Sequence, residues 1–141
     1  MSQQSFLGFD YGSQFIGIAV GGRYSGLAEG VATVPMHASG PDWQQIDKHM
    51  NEWQPDALVV GLPLNMDGTD TSTTAPARQF GEALKARYNR PVHMVDERLS
   101  TRAARHTLET GGQKPRRGDK PKLDKLAAQT ILQSYLNDNP E

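Results

Sequence analysis

The chain has 141 residues, 36% hydrophobic and 22% charged, with 14 Gly, 9 Pro and no Cys. That length suits one compact domain with a real core, and the missing cysteines exclude disulfides, thiol catalysis and Cys-based zinc sites. A formal net charge of −1 argues, taken alone, against a nucleic-acid-binding protein.

Residues Ser5–Asp10 and Phe15–Val20 read as two apolar strands. The short Gly-containing link Tyr11–Gln14 between them predicts an antiparallel hairpin. A third, weaker strand falls at Gly30–Val34. Pro41-Asp42 opens a helix with Trp43, Ile46, Met50 and Trp53 on one face, closed before Pro55. Ala57–Val60 is a short strand apolar enough to be buried on both faces. The stretch Gly61–Thr74, rich in Gly, Pro, Asn, Asp and Thr, reads as loop. Ala77, Phe80, Gly81, Leu84 and Tyr88 mark the inner face of a second helix, and Pro91–Val95 another strand.

A helix from Ser100 to Glu109 is expected next, capped by Ser100 or Thr101, followed by a mobile basic loop at about 110–122. The last helix runs from Pro121 to Asn137. Leu123, Leu126, Ala127, Thr130, Ile131, Ser134 and Tyr135 are assigned to its core face. The pattern describes a single α/β domain, 1–141, with a mixed sheet, an antiparallel hairpin and flanking helices. No apolar run approaches the ~18 residues of a membrane span. The N-terminus also lacks the basic flank and apolar region of a secretory signal. A cytoplasmic protein with no membrane partner is the expectation.

The charge is unevenly spread. Residues 1–97 hold 6 Lys/Arg against 11 Asp/Glu, whereas residues 98–125 hold 9 against 3. A basic segment beside an acidic body can follow a phosphate backbone while the whole chain stays near neutral. Alone, such a run is more often a solvated surface.

Three carboxylates stand at the ends of apolar elements. Asp10 ends the first strand just before Gly12, Asp124 sits in the first turn of the last helix, and either Asp96 or Glu97 ends the strand after Pro91. Singly, each has a bland explanation as turn, surface or cap residue. Converging at one sheet edge, they would repel unless a cation lay between them. An all-oxygen donor set suits Mg²⁺ or Mn²⁺ rather than zinc, and such a centre hydrolyses phosphodiesters. Strand alternation turns only one of Asp96 and Glu97 toward the site, without saying which. His37, His49, His93 and His106 show no ligand spacing.

Four segments then carry a resemblance: Gly8-Phe9-Asp10-Tyr11-Gly12 with Ile16–Ala19; Val60–Thr69; Asp96–Thr101; and Lys122-Leu123-Asp124 with Ala127, Ala128, Ile131 and Leu132. In this order and at these intervals the chain resembles the YqgF/RuvX family, whose members are Holliday-junction-resolvase-like and assigned to pre-16S rRNA maturation. The resemblance implies a ribonuclease H-like (RuvC-like) fold and a metal-dependent endonuclease processing the 5′ end of pre-16S rRNA. It implies that Asp10, Glu97 and Asp124 are catalytic and bind Mg²⁺ or Mn²⁺, which selects Glu97 over Asp96. It also implies nucleic-acid contacts near Gly12, Asn65, Asp67, Arg98 and Thr101. The neighbouring cations Arg102, Arg105, Arg116, Arg117 and Lys120 are candidates to hold the backbone.

One departure is visible. Relatives commonly read Lys-Arg-Ile-Gly where this chain has Gln14-Phe15-Ile16-Gly17, which removes a phosphate contact from the hairpin. RNA, as pre-16S rRNA or a pre-ribosome, is the expected partner of a monomer or weak homodimer. The competing readings are a resolvase of structured DNA and a non-catalytic RNA-binding assembly factor. Asp10-Tyr11-Gly12 also resembles the phosphate loop of sugar-kinase and actin-like ATPases, but those pair two such domains around the nucleotide.

Overall fold

A computed structural model describes residues 4–96 and 120–139, with the side chains of residues 120–123 left aside. Six strands form one mixed sheet in the order β4-β3-β2-β1-β5-β6. They are β1 (Ser5–Tyr11), β2 (Phe15–Gly22), β3 (Ala28–His37), β4 (Gly40–Pro41), β5 (Ala57–Leu62) and β6 (Val92–Asp96). The helices are α1 (Trp43–Trp53), α2 (Thr74–Tyr88) and α3 (Lys120–Asp138). The chain therefore has an α/β fold whose first three strands form an antiparallel meander. From β1 the sheet continues through β5 and β6 in parallel. The expected helix at Ser100–Glu109 and the loop at 110–122 lie outside the described residues, except that the helix begins at Lys120.

Alternation along the strands builds two apolar layers. Leu7, Phe9, Ile16, Ile18, Leu58 and Val60 point to one face, where Ile46 and Met50 of α1 and Phe80 and Leu84 of α2 cover them. Phe6, Ala19, Ala57 and Val59 point to the other, under Ala128, Ile131, Leu132 and Leu136 of α3. Both sides of β5 are thus sealed, as its unbroken apolar sequence suggests.

Asp42 starts α1, accepting from the Gln45 backbone N–H at 3.2 Å and sharing its other oxygen with His37 at 2.9 Å. Across the helix pair, Arg87 donates to both oxygens of Asp47 at 2.9 and 2.7 Å, and the Tyr88 hydroxyl donates to the same carboxylate at 2.6 Å. The Arg87 guanidinium also lies 5.1 Å from the Trp43 ring, which stacks on Phe80. This lock holds α1 and α2 together on the face away from α3.

The expected core face of α3 needs correction. Its buried residues are Asp124, Ala127, Ala128, Ile131, Leu132 and Leu136, whereas Leu126, Thr130, Ser134 and Tyr135 are only partly buried. The true row shares Ala127 and Ile131 with the expected one but is rotated about the helix axis toward Asp124. Hydropathy alone assigns a charged residue to the outside, so it chose the wrong phase. The helix also begins at Lys120, one residue early, which moves Asp124 out of the first turn. The helix dipole acts mainly within that turn and offers Asp124 less than expected.

Candidate nucleic-acid-processing site

Asp10 lies near the carboxyl end of β1, half-buried. By alternation it shares the face of Phe6 and Gly8, and a Cβ on Gly8 would stand 2.8 Å from Leu132 Cβ of α3. Asp10 therefore belongs to the α3 side of the sheet. Its cross-strand partner on β2 is Gly17. Directly opposed residues of an antiparallel pair project on one face with Cβ atoms roughly 5 Å apart. At Gly17 the side chain is missing, and the helix occupies the gap. A Cβ there would lie 2.0 Å from the carbonyl oxygen of Asp124. Only glycine lets the backbone of α3 settle this deeply against β2.

A second glycine supports the approach. A Cβ on Gly30 of β3 would meet the Lys125 carbonyl oxygen at 2.7 Å and its side chain at 2.6 Å. Beyond an irregularity in the β2–β3 pairing at Ile18/Ala19, α3 also takes over backbone donors of β3. Gln129 accepts from the Gly30 N–H at 2.9 Å and Gln133 from the Ala28 N–H at 2.8 Å. These bonds fix the position of the helix along the sheet. As a result Asp124, 7% exposed, and Asp10 come from distant parts of the chain to neighbouring positions on one face.

Of the two candidates that sequence alternation left open, strand β6 includes Asp96. His93 stacks on Tyr135 of α3 and Val95 packs into the α3 layer. Val92 joins the opposite layer, and Met94 lies against Gly81 of α2. Asp96 follows the phase of Val92 and Met94, so it faces away from Asp10 and Asp124. Glu97 lies outside the described residues, as do Arg98, Thr101, Arg102, Arg105, Arg116 and Arg117. Lys120 opens α3, its side chain not described.

The other expected contact residues have local structural work. The Gly12 N–H donates to the Phe15 carbonyl at 3.0 Å, and a Cβ on Gly12 would stand 2.6 Å from that oxygen. The hairpin turn itself thus demands glycine. At the departure from the family pattern, the Gln14 carbonyl accepts from the Met36 N–H at 2.9 Å, which ties the turn to β3. Asn65 organises the loop after β5. Its amide donates to the Thr69 hydroxyl at 3.0 Å and to the Asp70 carbonyl at 3.1 Å. Asp67 accepts from both the N–H and the hydroxyl of Thr69, at 2.9 and 2.6 Å.

Sequence reading missed Gly17 and Gly30 as site-building residues. The available signal was a glycine inside an apolar strand, a common mark of close backbone approach. Among the described residues, no group of three His, Cys, Asp or Glu side chains is arranged to hold a metal ion. Asp10 and Asp124 together offer carboxylate oxygens alone, a donor chemistry that fits a hard divalent cation. No described helix is long and apolar enough to cross a membrane.

A meander followed by parallel strands, with the C-terminal helix packed across β1 to β3, defines a ribonuclease H-like fold of the RuvC type. Solved structures agree on the fold. Thermus thermophilus RuvC in complex with a Holliday junction substrate superposes with a TM-score of 0.55 at 15% identity, covering 97% of each chain. The fowlpox virus Holliday junction resolvase does so with a TM-score of 0.56 at 14% identity, over 95% of this chain and 99% of that one. The chain belongs to the RuvX family, whose model, described as Holliday junction resolvase, matches residues 4–138. Relatives bearing the name "Putative pre-16S rRNA nuclease" include one from Aeromonas salmonicida, 45% identical over 98% of both chains. Another, from Pseudomonas putida, is 47% identical over 94% of both.

Proposed function

We propose that the protein is a divalent-metal-dependent endonuclease that processes the 5′ end of pre-16S rRNA. The observation that carries this reading is the placement of Asp10 and Asp124 on one face, through the close packing of Asp124 on Gly17. Two carboxylates brought together in a half-buried place are costly for stability and useful for holding a cation.

In this reading Asp10, Asp124 and Glu97 hold Mg²⁺ or Mn²⁺. When bound, the ion supplies a Lewis-acid charge that favours ionised water and offsets charge on the phosphodiester. The chain's part in this reading is to orient the three carboxylates, and the strand phase that Asp96 shares with Val92 and Met94 supports Glu97 as the third. In hydrolysis a water oxygen bonds to phosphorus and one P–O ester bond breaks. Arg98, Arg102, Arg105, Arg116, Arg117 and Lys120 would neutralise the flanking phosphates and the Thr101 hydroxyl would donate to one, so binding should weaken steeply with salt.

RNA is favoured over a DNA junction because relatives 45–47% identical carry the rRNA nuclease name. The junction resolvases share the fold at 14–15% identity, too distant to transfer a substrate. The test compares an end-labelled pre-16S rRNA fragment with a four-way DNA junction, each in Mg²⁺, Mn²⁺ or EDTA. The reading expects RNA cleavage that EDTA abolishes. Cutting of the junction alone would make the protein a resolvase, and RNA binding without cutting would make it an assembly factor.

A further inference from the structure

The loop that follows β5 is built as a rigid turn. Leu64 and Asp70 form an isolated antiparallel bridge, and the Asn65 N–H donates to the Thr69 carbonyl at 2.8 Å. The Gly68 N–H donates to the Asn65 carbonyl at 2.9 Å, and Gly68 takes φ +89°, a value that favours glycine. With the Asn65 and Asp67 side chains bonded inward, the apex residue Met66 stands out, 64% exposed. A large apolar side chain is thus displayed on a preorganised turn at the carboxyl end of β5. That strand is the parallel neighbour of β1, whose carboxyl end bears Asp10.

The loop's charge limits what it can touch. Residues 63–73 contain Asp67 and Asp70 and no Lys or Arg. Arg78 of α2 reaches Asp70 at 3.2 Å, which leaves the turn with no excess positive charge. Such a surface gains nothing from a phosphate. Its favourable contact with nucleic acid is the thioether on the face of a base, an interaction of polarizable sulfur with an aromatic ring. A base pair inside a helix offers no such face, because its neighbours already cover it.

We propose that Met66 is a specificity-determining residue that packs on an unpaired base beside the scissile phosphodiester. The preferred substrate is then single-stranded or locally unpaired at the cleavage point. This rests on the nuclease reading above and adds the substrate's local structure to it.

The experiment measures binding without cutting, in an Asp10→Asn background with Mg²⁺. Single-stranded and duplex RNA oligonucleotides of one sequence each carry a 2-aminopurine, and its fluorescence reports stacking. Met66→Ala should weaken single-strand binding about fivefold and abolish the fluorescence change, while duplex binding stays the same. Met66→Leu, which keeps apolar bulk, should retain most of the affinity. Leu27→Ala, an exposed apolar residue on the β2–β3 turn, should change nothing. Equal losses on both RNAs, or no loss in Met66→Ala while wild-type RNA binding persists, would overturn this inference alone. No RNA binding by any form would overturn it together with the nuclease reading.

Discussion

Asp10 is the cross-strand partner of the glycine on which the main chain of Asp124 rests. The two carboxylates are therefore related through one missing side chain at Gly17. The sheet supplies the first, the C-terminal helix supplies the second, and the depth of helix packing sets the spacing between their backbones. In the proposed function, stability and site geometry depend on the same contact.

Gly17→Ala tests that dependence. The added methyl would stand 2.0 Å from a backbone oxygen, which no rotamer change can relieve, so α3 must shift. Overpacking of this kind costs about 2 kcal/mol, enough to lower the melting temperature by several degrees. Nuclease activity should fall much further than the folded fraction explains. Calorimetry alongside a cleavage assay below the transition separates the two effects. Full activity in a folded Gly17→Ala protein would show that helix depth does not set the site.

The Asp47–Arg87–Tyr88 lock makes a pH prediction. Hydrogen bonds from Arg87 and then Tyr88 hold the Asp47 carboxyl below its ordinary value of 3.8, while burial and the Asp47 bond push the Tyr88 phenol up. The unfolded chain thus binds a proton at Asp47 before the folded chain does. The resulting stability is present above pH 3.8 and lost as pH falls through the lower folded value. Asp47→Asn should be less stable than wild type at pH 7, and the gap should close in acid. Urea midpoints across that range give the answer, and a gap that persists in acid would assign the effect to packing.

His93 acts in the same sense at higher pH. Burial, and then the Arg23 charge, lower its pKa below 6.5, so the folded protein resists protonation where the unfolded chain accepts it. That contribution is complete above pH 6.5 and fades as pH falls toward the folded value. His93→Gln should flatten the dependence of stability on pH just below 6.5. An unchanged slope would mean that another group sets it.

The Asn65 amide donates to two partners within its own loop. Asn65→Ala should lower global stability by about 1 kcal/mol or less, because the bonds it makes are exposed. Local exchange should respond more strongly, with the Gly68 and Thr69 amides exchanging at least roughly tenfold faster as the turn opens. Hydrogen-exchange mass spectrometry resolves this. Unchanged exchange would show that the backbone bonds alone hold the turn.

Much of the architecture could be read from the chain because local pattern and tertiary role agree. Phe6 to Phe9 and Ile16 to Ala19 alternate cleanly between two covered faces, and a short turn leaves them only a hairpin. Asp42 before Trp43, and the apolar spacing of Ile46 and Met50, likewise mark α1. The third strand was read short because β3 runs from Ala28 to His37 with most residues only partly buried, which blurs alternation. The two-residue β4 has too few residues for any pattern. The buried face of helix α3 is out of phase with its apolar spacing. Its buried row begins with a carboxylate, and a hydropathy pattern cannot anticipate a charge placed inside. Asp10 and Asp124 were visible as element ends, whereas the glycines that join them looked like ordinary small strand residues.

The most direct test of the account is whether Asp10 and Asp124 act as one site. Cleavage rates of end-labelled pre-16S rRNA should be measured for wild type, Asp10→Asn, Asp124→Asn and the double variant, all confirmed folded. Each single substitution should reduce the rate about 10³-fold or more, and the double should be no worse than either, because residues that work as a unit are not additive. Losses that multiply, or cleavage that survives in either single variant, would contradict it.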